Sequence, residues 1–384
     1  MKKRVFVGVL IMFFLITNLA YAQDDSKGNI DKYIDNQLKT IQIDRLQKTF
    51  ENEQVIKDIN LKDFIIDVMK GEKNILDIID KAQVKHYLFK EIKFNFKILV
   101  TILILSLISA ILKNLDNSFS GTAISKVSNY TVFVLLISIT FMGYKDVLEI
   151  AKVTIDNMVN FMQIAIPIEM AFLVTLGFPV TSASLSPIFL GGIVFINIVF
   201  KTFLMVIMAL SFSILIINNI SSNINLKRLY NFTKQISVFT VGFLLTVYLG
   251  IISIQGIYVT SFDKFSIKTI KFAVDFIPVV GGFVSDSIEI LLSSSYLLKS
   301  VLGAAALVIL IGICLIPIFK IVSIILVYKF SSIIVEPISD DNISAYLNEM
   351  ANLMIIILSS VVAVGIMFFI TIAILASIGN VTRM

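Results

Sequence analysis

Three ionisable residues stand inside otherwise apolar stretches: Glu169, two residues after Pro167, then Lys201, then Lys320, three residues after Pro317. A charge at the centre of a bilayer costs roughly 2.5–3.5 kcal/mol on insertion scales, so each is retained against a penalty. Two readings are open. In one, the three belong to a polar pathway, or Glu169 pairs with Lys201 or Lys320. In the other, each lies near an interface and reaches water, or ties two helices together. The long stems of Lys201 and Lys320 suit the second reading, and the short stem of Glu169 leaves both open.

Catalytic chemistry has little material. His86 is the only histidine and Cys314 the only cysteine, so a histidine-based metal cluster, a triad built within the chain and a disulfide framework are all excluded by inventory. No H-E-x-x-H motif, P-loop or dinucleotide fingerprint occurs. Asp275 and Asp286 lack the glycine-x-glycine-aspartate setting of an aspartyl pair in an apolar span. The expectation is a protein that is not an enzyme, takes no cofactor and would borrow any ATP-driven step from another subunit. A basic stripe for nucleic acid is also missing.

The most unusual stretch is 275–300, DFIPVVGGFVSDSIEILLSSSYLLKS. It is apolar enough to enter a bilayer, yet Pro278 removes a backbone donor and Gly281 and Gly282 favour a break. Asp286 and Glu289 then interrupt the apolar run. Broken backbone at membrane depth is tolerated only under protein cover or beside water. The stretch reads either as a re-entrant hairpin hinged at Pro278 to Gly282, or as an amphipathic connector on the membrane surface.

The elements that would position these residues follow from composition. Of 384 residues, 57% are hydrophobic and 15% charged, well below the roughly 25% charged of soluble domains. The chain is therefore expected to be an all-α, polytopic integral membrane protein. Residues 1–22 have the layout of a signal peptide: Lys2, Lys3 and Arg4, an apolar stretch, and a small-x-small site ending at Ala22. The alternative is an uncleaved anchor. Residues 23–93 read as a small external helical region, in which Asn60 caps a short helix carrying Phe64, Ile65, Val68 and Met69 that Gly71 ends. Residues 94–384 form the membrane domain. About seven spans follow, near 98–112 (short unless Phe94 and Phe96 extend it), 130–144, 158–177, 188–217, 236–258, 301–328 and 351–378. A charged link, Lys145 to Asn157, joins the second to the third, and a small-residue loop around 178–187 precedes the fourth. Seven crossings from an external N-terminus would put Asn218 to Gln235 outside and Lys264 to Lys271 in the cytoplasm, although the loop lysines and arginines divide almost evenly between the two sides.

Tyr144 to Gly177 and, above all, FIPVVGGFVSDSIEILLSSSYLLKS (Phe276 to Ser300) resemble the stage III sporulation protein AE family of endospore-forming Firmicutes, and the resemblance covers essentially the whole chain. It implies a multi-pass protein of the mother-cell membrane facing the forespore. There it would be a subunit of the stage III sporulation A complex, which bridges to stage II sporulation protein Q and is viewed as a channel or feeding tube with parts similar to secretion systems. The complex is needed for forespore development and late forespore gene expression. The resemblance supplies no catalytic residues. The competing reading is a stand-alone secondary transporter for a small solute, which an inverted repeat would support. Phe178 to Pro187 is a poor counterpart to Pro278 to Gly282.

Overall fold

The computed structural model describes residues 47, 60–74, 81–118, 123–220, 225–258, 280–338 and 341–378. The leader with its site at Ala22, most of the external region before residue 60, and Pro278 lie outside the described residues. Among the described residues all regular structure is helical. Helix α1 (Leu61–Met69) starts where its cap predicts: the Asn60 carboxamide oxygen accepts from the backbone N–H of Lys62 and Asp63. Its Phe64 and Ile65 are buried, and Gly71 beyond its end has φ 75°, a left-handed value that favours glycine. Lys73 binds Asp67 at 2.7 Å, and this hydrogen bond raises the lysine pKa above its ordinary value.

Among the described residues six long helices follow whose length and apolarity suffice to cross a membrane. They are α2 (Lys81–Ser118), α3 (Ala123–Thr175), the continuous run of α4 (Pro179–Ile198) and α5 (Met205–Ile220), α6 (Lys227–Tyr258), α7 (Val280–Val335) and α8 (Asp341–Ser377). Six stand where about seven were expected because the second and third expected spans are one helix. The link Lys145 to Asn157 contains neither glycine nor proline. It buries Val147, Ala151, Ile155 and Met158 at helical spacing while keeping its charges outside, so the helix has no reason to stop. At 53 residues α3 is roughly 80 Å long, more than twice the hydrocarbon thickness of about 30 Å.

Helix α3 ends in a three-residue turn. Gly177 takes φ 84°, its N–H reaches Val174 O and the N–H of Phe178 reaches Leu173 O, the paired bonds that close a helix end. Pro179 then opens α4 at a position where a missing N–H costs nothing. The small-residue loop expected over 178–187 is therefore helix: Pro187 lies inside α4, and Ser182 packs close enough to donate to Met170 O at 3.0 Å. Around Lys201 the run takes a π-helical segment, Val199–Leu204, joining α4 to α5.

Helices α7 and α8 form the centre, with 61% and 56% of their apolar windows buried against 28–33% in the other four. They run antiparallel and are stapled near the hairpin, where Ser332 and Ser344 donate to each other's backbone carbonyl at 2.9 and 3.0 Å. Helix α3 lies along both. Thr140 meets Tyr346 at 2.7 Å, and Tyr328 sits directly on Gly143, where a Cβ would collide with its hydroxyl. At mid-length Cys314 Sγ lies 3.1 Å from Met158 Sδ, beside Gly365. Helix α6 runs parallel to α8, fixed by Tyr230 on Glu349 (2.7 Å) at one level and Tyr248 on Thr371 (2.8 Å) at another.

Of the segment 275–300, residues 275–279, with the hinge expected at Pro278, lie outside the described residues. Its described part is the start of α7, a 56-residue helix in which Gly281 and Gly282 occupy the first turn without interrupting it. Glycine in a helix costs about 1 kcal/mol relative to alanine, a cost that so long a packed helix absorbs.

Candidate functional site

The described residues bring one acidic and one basic side chain together deep in the bundle, where α3, α7 and the end of α8 meet. Lys299 on α7 is 1% exposed. Its ammonium donates to three backbone carbonyls at the end of α8: Leu375 at 2.5 Å, Ile378 at 2.8 Å and Ala376 at 3.3 Å. The last carbonyls of a helix have no partner within it and carry the negative end of its dipole, so a buried cation has a ready site there. Gly303, one turn after Lys299, lets the helices close: a Cβ on it would stand 2.6 Å from Ala376 Cβ and 3.2 Å from Glu169 Oε1.

Glu169 on α3 completes the group and is 2% exposed. Lys299 is the charge that acts on it. Among the described residues no ion-pair contact joins Glu169 to a lysine, and its Oε2 is buried with no hydrogen-bond partner. The reason is an inventory: an ammonium has three donors, and all three of Lys299's are committed to carbonyls. The arrangement fastens three helices by charge and backbone, leaving one carboxyl oxygen without a donor. No nucleophile–base pair adjoins it among the described residues, and no cluster of three or more metal-binding side chains occurs there.

The other sequence candidates fall elsewhere. Lys201 forms an ion pair with Asp156 across α3 and the π segment. Lys320 lies 3.5 Å from Glu91 on α2, next to a 2.9 Å bond from Asn95 to Ser323. Neither pairs with Glu169; of the two open readings, each lysine follows the one in which it ties two helices together, and the cation beside Glu169 is Lys299. Asp286 and Glu289 lie on α7, within its first three turns. Sequence reasoning passed over Lys299 because it sits at the edge of the stretch read as broken. The available signal was a lysine followed four residues later by Gly303 within an apolar run.

Comparison with known proteins gives concordant results. The family model for stage III sporulation protein AE matches residues 59–379. A Bacillus subtilis (strain 168) protein named Stage III sporulation protein AE is 29% identical over 299 residues, covering 78% of this chain and 75% of the relative. No solved structure matches.

Proposed function

The chain belongs to the stage III sporulation protein AE family, and on that ground we propose that it is a non-enzymatic membrane subunit of the channel-like assembly linking mother cell and forespore. Its place would be the mother-cell membrane facing the forespore, among the other stage III sporulation A proteins and, directly or through them, stage II sporulation protein Q. The observation that carries the reading is the family match over residues 59–379. The fold agrees in kind: a six-helix membrane body with apolar outer faces offers a base on which further subunits can assemble.

Six crossings instead of seven reverse the expected loop orientation. With the N-terminal region outside, the turn between α5 and α6, together with Lys227 and Arg228, would lie in the cytoplasm, which the positive-inside rule favours. A single cysteine at Asn225 in a Cys314→Ser background should then resist an impermeant thiol reagent in intact cells, and one at Asn74 should react. Reaction at Asn225 sinks the six-crossing topology.

The subunit reading is tested by purifying the full chain from sporulating cells under mild detergent. Recovery in a large complex with other sporulation proteins supports it. Recovery as a lone monomer or dimer, with solute uptake in vesicles, would favour the secondary transporter instead.

A further inference from the structure

The outward face of α3 differs from that of α6. Lys145, Glu149, Lys152, Asp156, Asn160 and Gln163 follow one another at intervals of three or four residues, so they form a single stripe. All are exposed except Asp156, which is partly covered by its bond to Lys201. Asp146 and Asn157 flank the stripe and are also exposed. An open cleft of about 300 Å³ lies beside its first two turns, lined by Lys145, Glu149 and Lys152 of α3 and by Lys201 and Met205 across from them.

The depth of this stripe can be read from contacts to α8. It lies between the Thr140–Tyr346 contact and the Glu169–Gly303–Ala376 cluster, with Met158 beside Gly365 at its middle. Helix α6 occupies the same slab, between Tyr230–Glu349 and Tyr248–Thr371. Those two levels are 22 residues apart on α8, roughly 33 Å of helix, which is the thickness of a hydrocarbon core. Within the slab, beyond Asn231 and Gln235 at its edge, α6 exposes Val238, Phe239, Phe243 and Val247, a face suited to lipid. A lipid-facing stripe of charges and amides at the same depth would be prohibitive.

We propose that the stripe from Lys145 to Gln163 borders a water-filled passage at bilayer depth, closed off from lipid by the same face of further copies of this chain. The charges favour copies: Lys145, Lys152 and Lys201 balance Asp146, Glu149 and Asp156, so identical faces brought around a common space meet without net repulsion. Exposed apolar residues on the neighbouring α4–α5 run, Val194, Phe195 and Phe203, supply the flank on which such copies can pack. The inference deepens the channel reading above and rests on it for its biological meaning, although its geometry does not depend on other sporulation proteins.

The test uses the full chain in sporulating cells, with Cys314→Ser and single cysteines at Glu149, Lys152, Asn160 or Gln163, compared with Phe239 and Phe243. Only the thiolate reacts and apolar surroundings suppress it, so a small charged methanethiosulfonate should modify the α3 set at least about tenfold faster than the α6 set. A Met162→Cys control on the buried side of α3 should stay unmodified. In cells carrying two differently tagged copies, a short bis-thiol cross-linker at Lys152→Cys should join the two tags. Modification of the α3 set no faster than Phe243→Cys overturns the passage. Fast modification without any mixed-tag product overturns the enclosure by copies. If both results hold but the chain purifies with no other sporulation protein, it is the subunit reading that fails and not this one.

Discussion

Two groups of charges on the same helix meet the membrane in opposite ways. Glu169, near the end of α3, is sealed among α7 and α8 with Lys299, whereas Lys145 to Gln163 on its outer face stay exposed. At the first site the cost of burying an ammonium is offset by three carbonyls that the end of α8 would otherwise leave unpaired. At the second, among the described residues, the one ion pair joins Asp156 to Lys201. A polar residue in an apolar chain is thus not one kind of signal. Its meaning depends on whether backbone or water answers it.

The sharpest way to break the contrast is Lys299→Ala. It removes the ammonium and strands carbonyls at the end of α8 beside Glu169, and we expect a loss of roughly 3–5 kcal/mol, the scale for removing one partner of a buried charge cluster. Protein level in the membrane fraction and thermal unfolding in detergent would register it, and near-normal values would show that the cluster is not holding the bundle. Gly303→Leu should come next. Its side chain must enter space where even a Cβ stands 2.6 Å from Ala376, at a cost of about 1–3 kcal/mol or more for overpacking. Spore yield should fall, with Gly303→Ala milder.

Lys320→Ala probes an intermediate case, a part-exposed pair with Glu91 at 3.5 Å. With its ends only part-buried it should cost less than Lys299→Ala, measured by the same unfolding assay. The smallest effect on stability should come from the outer stripe: Lys152→Ala or Gln163→Ala should stay within about 0.5 kcal/mol, as for exposed positions without special contacts. A drop as large as that of Lys299→Ala would erase the distinction between the two groups.

Much of the architecture was legible from pattern. The cap at Asn60, the helical class and most apolar windows needed only local periodicity and length. Two features were not. The charged link in α3 was read as a connector because charges were counted along the chain. What decides helix continuity is that Val147, Ala151, Ile155 and Met158 fall on one side. The partner of Glu169 was out of reach for a different reason. Its setting is assembled from residues on three helices, and Lys299 binds carbonyls 76 to 79 positions away. Backbone acceptors are identical at every residue, so no residue type marks them. Glycine is no clearer a signal by itself: Gly281 and Gly282 lie within a helix, while Gly177 closes the end of α3.

The π-helical segment between α4 and α5 has a consequence for phase. Buried residues along this run fall at Leu185, Phe189, Ile193, Ile196, Phe200, Leu204, Met208, Phe212 and Leu215. From Ile196 to Met208 they advance by four three times in succession. In a plain α-helix each such step would swing the stripe by roughly 40°, and Met208 would leave the core. The wider turn at Val199–Leu204 takes up the difference, so the run carries one residue of slack. Losing a single residue there would return the segment to regular helix, with both flanks still facing inward. Losing one from the middle of α5 would turn everything beyond it by roughly 100°. Chain length is therefore forgiving at Lys201 and unforgiving a turn or two later, and a helix that must keep one side to protein over 42 residues has somewhere to absorb a change in register.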